Sequence, residues 1–170
     1  HYTPTDVPFA VKFSNAQQRE QWTGADSWSY NDFYSVMYCS GTTPLLSRGV
    51  NLKAGKTYRL SYSYMAGMYT YTQTIYENYD IIYGLDGEDP LSSFKELASY
   101  KNVYTNDTFA EDNKLFTVPA DGIYQFGFLQ NSPFGTMGIS QISITEAFDN
   151  DISVNSIAGL PSILPAGQFG

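Results

Sequence analysis

Residues 56–83 read KTYRLSYSYMAGMYTYTQTIYENYDIIY and carry eight tyrosines in 28 positions. The first part alternates. Tyr58, Leu60, Tyr62 and Tyr64 fall on one side of an extended chain, and Arg59, Ser61 and Ser63 fall on the other. A period of two marks a half-buried β-strand, because successive side chains of a strand leave opposite faces. Tyr79, Ile81 and Tyr83 repeat the pattern at the end of the stretch, and in these two runs only Arg59 and Asp80 are charged. The stretch therefore poses a choice: the tyrosines fill a core, or some of them form an aromatic platform.

The rest of the chain speaks the same language. Tyr124, Phe126 and Phe128 alternate with Gln125 and Gly127, and Ile142 and Ile144 alternate with Gln141, Ser143 and Thr145. Turn signals bound these runs: KAGK at 53–56 and PADG at 119–122 precede strands, GLDGEDP at 84–90 follows one, and NSPFGTMG at 131–138 separates the last two. LKAGKTYRLSYSY from Leu52 and VPADGIYQFGFLQ from Val118 echo each other as equivalent beginnings of strands. Helical periodicity is nearly absent; the best candidate, within Asn15 to Gln21, is one or two turns long. Strands with one wet and one dry face belong to antiparallel sheets. Roughly 140 residues and about eight to ten strands suit an all-β, two-sheet β-sandwich of jelly-roll type better than a shorter immunoglobulin domain.

The domain is expected over residues 7–147. Beyond it, FDNDISVNSIAGLPSILPAGQFG (148–170) turns to Pro and Gly after a short alternating run, Ile152 to Ile157. It reads as a linker and the truncated start of a second, Ig-like β domain, with a C-terminal edge strand as the other reading. The opening, HYTPTDVPF, reads as a mature or excised segment.

Composition excludes several functions. The formal charge is −8, with nine Lys and Arg against 17 Asp and Glu. Nucleic acid is not the expected partner, since neutralising phosphates needs clustered cations. No apolar run approaches the length of a membrane span. Cys39 is the single cysteine and His1 the single histidine, so no internal disulfide, Ser-His or Cys-His couple or ordinary zinc site is expected, and Cys39 reads as a small buried hydrophobe. The carboxylates lie mostly in polar turns with nothing to raise one pKa, so the chain does not read as an enzyme.

Several anchors in order carry a resemblance: VPFAVKF at 7–13, Trp22, WSY at 28–30, TPLLSRGVNLKAGKTYRLSYSY at 43–64, YDIIYG at 79–84, FTVPADGIYQFGF at 116–128 and GISQISITEA at 138–147. Together they resemble the choice-of-anchor J and cleaved-adhesin jelly-roll domains of secreted Bacteroidetes proteins, related in shape to MAM domains and carbohydrate-binding modules. The resemblance implies a non-catalytic adhesion or carbohydrate-binding module of a larger secreted or cell-surface protein. Its partners would be a glycan or a host or surface protein, together with neighbouring domains of the same chain. The resemblance also implies calcium, held by acidic residues after the first strand and in the last. This chain departs from that pattern: Glu20 is the only carboxylate in SNAQQREQW, and Ser140 and Gln141 stand where paired aspartates are common. The calcium ligands of the family type are thus missing, and no cofactor is expected.

The candidate ligand residues are Tyr69, Tyr71 and Tyr76, where Gly67 interrupts the alternation and Thr and Gln interleave. Exposed tyrosine beside amides and hydroxyls suits sugar stacking or protein contact; ordinary hairpin packing is the competing reading. Trp22 and Trp28 flank TGADS and either stack on a saccharide or cap the core. Asp86, Glu88 and Asp89 are weak calcium candidates in GLDGEDP, where a solvated turn is the competing reading. The alternative function is a structural spacer or protein-interaction domain with no small ligand.

Overall fold

The computed structural model describes residues 4–12, 22–23, 28–31, 36–39, 44–131 and 136–148. The helical candidate at 15–21, Glu20 and the tail 149–170 lie outside them. Among the described residues fifteen strands follow one another: β1 (Thr5–Asp6), β2 (Phe9–Lys12), β3 (Trp22–Thr23), β4 (Trp28–Asn31), β5 (Val36–Cys39), β6 (Leu45–Ser47), β7 (Val50–Leu52), β8 (Thr57–Ala66), β9 (Met68–Tyr69), β10 (Thr74–Ile75), β11 (Glu77–Leu85), β12 (Lys95–Val103), β13 (Ala110–Phe116), β14 (Gly122–Gln130) and β15 (Met137–Ala147). They form two sheets and a small ribbon. Sheet A runs β1-β7-β14-β11-β12, with β6 also on β14 and β3 on β6; sheet B runs β13-β8-β15-β5-β4, with β2 also on β15. The ladders are antiparallel except for β1 on β7. The chain is the two-sheet, all-β sandwich that its alternation predicts.

The core is built from the expected faces. Tyr58, Leu60 and Tyr62 of β8, Tyr79 and Ile81 of β11, Tyr124, Phe126 and Phe128 of β14, and Ile142 and Ile144 of β15 are all buried between the sheets. Aromatic rings meet across the gap and along the sheet. Tyr62 lies 5.0 Å from Phe128 and Phe116 5.0 Å from Phe126 between the sheets, and Tyr83 stacks on its sheet A neighbour Phe126 at 6.0 Å. Such offset and tilted pairs add to the area they bury. Most of the tyrosines of 56–83 are therefore core.

Ser63 of β8, under Gln141, and two residues of β14 are buried although expected on a wet face. Gln125 and Gly127 of β14 lie beside the end of β6, where Gln125 Nε2 donates to the Ser47 carbonyl at 3.0 Å. A Cβ at Gly127 would meet Leu46 Cδ2 at 2.6 Å, so only glycine lets β6 come this close. Ser47 completes the join: its Oγ accepts the Phe126 N–H at 3.0 Å, where the β6 ladder stops at Leu45 and Leu46.

The long strands give the sandwich two distinct ends. Thr57 pairs with Ala147 and Leu85 with Tyr124 at the base, where Phe148 leaves the sheet. Ala66 pairs with Met137 and Glu77 with Val103 at the tip, from which the β9–β10 hairpin projects.

Candidate functional site

The tip hairpin is locally encoded. Gly67 has φ +81°, and a Cβ there would meet the Ile75 carbonyl oxygen at 2.8 Å and that of Val103 at 3.0 Å. Glycine thus lets the chain turn out of β8 tightly against the β12–β13 loop. At the apex Thr70 organises the turn. Its hydroxyl donates to the Gln73 carbonyl at 2.8 Å and accepts the N–H groups of Gln73 at 3.0 Å and Thr72 at 3.3 Å. This is the local side-chain-to-backbone chemistry that threonine brings to turns. Tyr71 sits on that turn wholly exposed, and Tyr69 is 65% exposed on β9. Tyr76 is also exposed but leans edge-on against Tyr104 at 6.1 Å, and Tyr104 donates its hydroxyl to Asn106 Oδ1 at 2.9 Å. The three candidate tyrosines thus share one ribbon, with Tyr76 and Tyr104 as its foot.

The two tryptophans part company. Trp28 pairs with Cys39, which pairs with Met137, which pairs with Ala66, so its backbone lies in the row of sheet B at the hairpin's base. Trp22 pairs with Ser47 in sheet A, the other layer. The strand backbone of Cys39 lies in that same row of sheet B.

The acidic loop does not converge. Asp89 Oδ1 accepts the Leu91 N–H at 3.2 Å and Oδ2 the Ser92 hydroxyl at 2.8 Å, so this carboxylate builds the turn. Asp86 lies against Gly49, and Glu88 lines a cavity of about 320 Å³ at the base with Tyr83, Lys95, Asp121 and Tyr124. Among the described residues, no three potential metal ligands come together.

Two further clusters escaped sequence reasoning because each depends on register. The first lies between the free edges of the sheets. Asp112 of β13 accepts the Tyr62 hydroxyl at 2.9 Å and the Tyr100 hydroxyl at 2.5 Å on one oxygen, and the Tyr62 and Tyr79 hydroxyls are 2.7 Å apart. Lys114 lies 5.7 Å from the centre of the Tyr100 ring. Burial, before any neighbouring charge, pushes the hydroxyls of Tyr62, Tyr79 and Tyr100 above the ordinary tyrosine range, so they stay protonated as donors. The cluster ties β12 of sheet A to β13 and β8 of sheet B.

The second is a groove of about 440 Å³ on the outer face of sheet B, lined by Ala10, Lys12, Ser61, Ser63, Glu111, Asn113, Gln141 and Ser143 with backbone beneath. Alternation already puts Ser61, Ser63, Gln141 and Ser143 on outward faces; only the pairing of distant strands gathers them.

No protein-family model matches the sequence. No curated protein matches it either. Solved structures do match the fold. The Paenibacillus barcinonensis Xyn10C CBM22-2 xylan-binding domain superposes with a TM-score of 0.56 at 13% identity, covering 82% of this chain and 99% of that one. The BiXyn10A CBM1 module, in its apo form, gives 0.52 at 18% identity, over 84% and 99%. The K1 cleaved-adhesin domain of Lys-gingipain from Porphyromonas gingivalis gives 0.56 at 13%, over 84% and 99%. The chain therefore has the jelly-roll β-sandwich fold shared by carbohydrate-binding modules and a cleaved-adhesin domain.

Proposed function

We propose that this domain is a non-catalytic carbohydrate-binding or adhesion module of a larger secreted or cell-surface bacterial protein, akin to the choice-of-anchor J and cleaved-adhesin domains. The observation that carries the reading is the tip hairpin, where Tyr69 and Tyr71 are exposed on a turn held by Thr70. Exposed rings on a stiff support have little ordering left to lose on binding, and a tyrosine face offers apolar area with a hydroxyl at its rim. Tyr69, Tyr71 and Tyr76 would stack against saccharide rings, with Trp28 the nearer tryptophan by strand position. The likeness to carbohydrate-binding modules of known structure, one of them named as xylan-binding, supports the same class of partner. Among the described residues, no helix is long and apolar enough to cross a membrane.

A spacer or protein-interaction role has its own supporting observation. Leu85, Leu91 and Phe148 are exposed at or near the base, the end from which β15 leaves. Exposed apolar residues gathered at one end suit contact with a neighbouring domain. A glycan array, run with and without calcium, separates the readings. Saccharide binding lost in the Tyr69→Ala/Tyr71→Ala variant supports the module; silence under both conditions favours the spacer.

A further inference from the structure

The outer face of sheet B is organised in rows. Glu111 pairs with Ser63, Ser63 with Gln141, and Gln141 with Lys12. One step along the same face, Asn113 pairs with Ser61, Ser61 with Ser143, and Ser143 with Ala10. Four strands at about 4.8 Å spacing make each row roughly 14 Å wide, and the rows stand about 7 Å apart, two residues along a strand. The inner positions are Ser63 and Gln141 in one row and Ser61 and Ser143 in the other; the outer ones are Glu111 and Asn113 on β13 and Lys12 and Ala10 on β2. Short Ser61, Ser143 and Ala10 leave a trough between the longer Asn113, Glu111, Gln141 and Lys12, and its volume of about 440 Å³ falls within the range of small-ligand sites.

The chemistry of the trough selects its occupant. Its floor offers hydroxyls and amides, groups that both donate and accept. Gln141 Nε2 already donates to Ser63 Oγ at 3.2 Å, and Arg59 Nη1 to Asn113 Oδ1 at 2.5 Å, so these side chains are held in place. Both β8 and β15 are paired along each side, so the floor has no free strand edge on which a peptide could add a strand. Charge around the trough carries both signs: Glu111 and Lys12 on the outer strands, and Arg59 of β8 beside Asn113. An anion meets Glu111 and a cation meets Lys12; a neutral polyol meets neither penalty.

We infer that this groove is a second saccharide-binding surface, separate from the tip hairpin, which takes a short neutral oligosaccharide through hydrogen bonds from Ser61, Asn113, Gln141 and Ser143. The inference rests on the carbohydrate reading above and adds to it a second site and a ligand charge class. Without a ring to stack on, affinity at this surface comes from hydrogen bonding, and discrimination comes from hydroxyl pattern.

The test uses xylohexaose and cellohexaose as neutral probes and hexagalacturonate as an acidic one. Each is titrated into the wild-type domain, into Tyr69→Ala/Tyr71→Ala, and into Ser61→Trp/Ser143→Trp, which fills the trough from its solvent side. Backbone amide NMR follows every titration and reports whether each variant keeps its fold. A second variant, Gln141→Ala, removes an amide without adding bulk. Binding of a neutral hexaose should shift the amides of residues 61–63 and 141–143, and should weaken by roughly tenfold or more in the Trp variant, the scale of losing one or two hydrogen bonds. A neutral hexaose that is lost in the tip variant yet binds the Trp and Gln141→Ala variants like wild type overturns the groove while leaving the carbohydrate reading intact. Hexagalacturonate shifting the groove amides more strongly than the neutral probes overturns the neutral class. No binding of any probe to the folded wild-type domain removes the carbohydrate reading, and the groove with it.

Discussion

Asp112→Ala tests how the sandwich is closed along its open side. Asp112 Oδ2 takes the Tyr62 and Tyr100 hydroxyls, and Tyr62 in turn meets Tyr79. A hydrogen bond to a charged group contributes about 1.5–3 kcal/mol, so two give roughly 3–6 kcal/mol before discounting. Tyr100 is only half-buried and regains water when its acceptor goes, whereas Tyr62 is buried and does not. The expected loss is therefore about 3 kcal/mol, near the lower bound of that range. In urea titrations it should appear as a lower midpoint at unchanged slope, and in melting as a drop of roughly 10 °C. Asp112→Asn keeps a carbonyl acceptor and should cost about half as much. A loss below about 1 kcal/mol in Asp112→Ala would refute the argument, because it would mean the hydroxyls are as well satisfied without the carboxylate. Since Glu111 and Asn113 flank Asp112 on the opposite face of β13, the same variant should loosen one wall of the groove.

The same cluster sets a response to alkali. In the unfolded chain Tyr62 and Tyr79 ionise near pH 10, whereas burial raises both in the fold. Above pH 10 the unfolded state releases protons that the folded state keeps, so stability is whole below that pH. It then falls by up to about 1.4 kcal/mol per pH unit for each tyrosine; urea midpoints at pH 9, 10 and 11 should show a shallower decline for Tyr62→Phe. Tyr69→Ala/Tyr71→Ala should change stability by no more than roughly 0.5 kcal/mol per site, since exposed positions seldom matter more, and calorimetric melting checks it. Gly67→Ala should cost on the order of 1–3 kcal/mol, from its positive φ and from a Cβ set against two carbonyl oxygens, measured by chemical denaturation. Ser47→Ala strips the buried Phe126 N–H of its acceptor and should cost about 1–3 kcal/mol by the same measurement.

The local rules reached further for the fold than for the site. A strand alternates side chains whatever its neighbours, so Tyr58, Leu60, Tyr62, Tyr79, Phe126 and Ile144 declared their buried side without any tertiary information. Gly67 likewise announced the break in β8 that starts the exposed hairpin, because backbone freedom is a property of one residue. Gln125 and Gly127 defeated alternation because β6, paired beside β14, brings the Leu46 side chain against Gly127 and the Ser47 carbonyl to Gln125, and a strand cannot know which neighbour it will meet. Glu77 is fully buried at the start of β11, although its type marks it for the surface.

What this sequence determined by itself is the period-two pattern, the turns that punctuate it and the short ribbon bearing Tyr69 and Tyr71, all products of chemistry between near neighbours. What only the tertiary structure decided is which strands lie side by side. The groove joins residues 12, 61, 111 and 143 from four strands, and the Asp112 cluster joins side chains from both sheets. Register between segments tens of residues apart is set by the packing of the whole core, and it is register that turned scattered serines, amides and tyrosines into surfaces and seams.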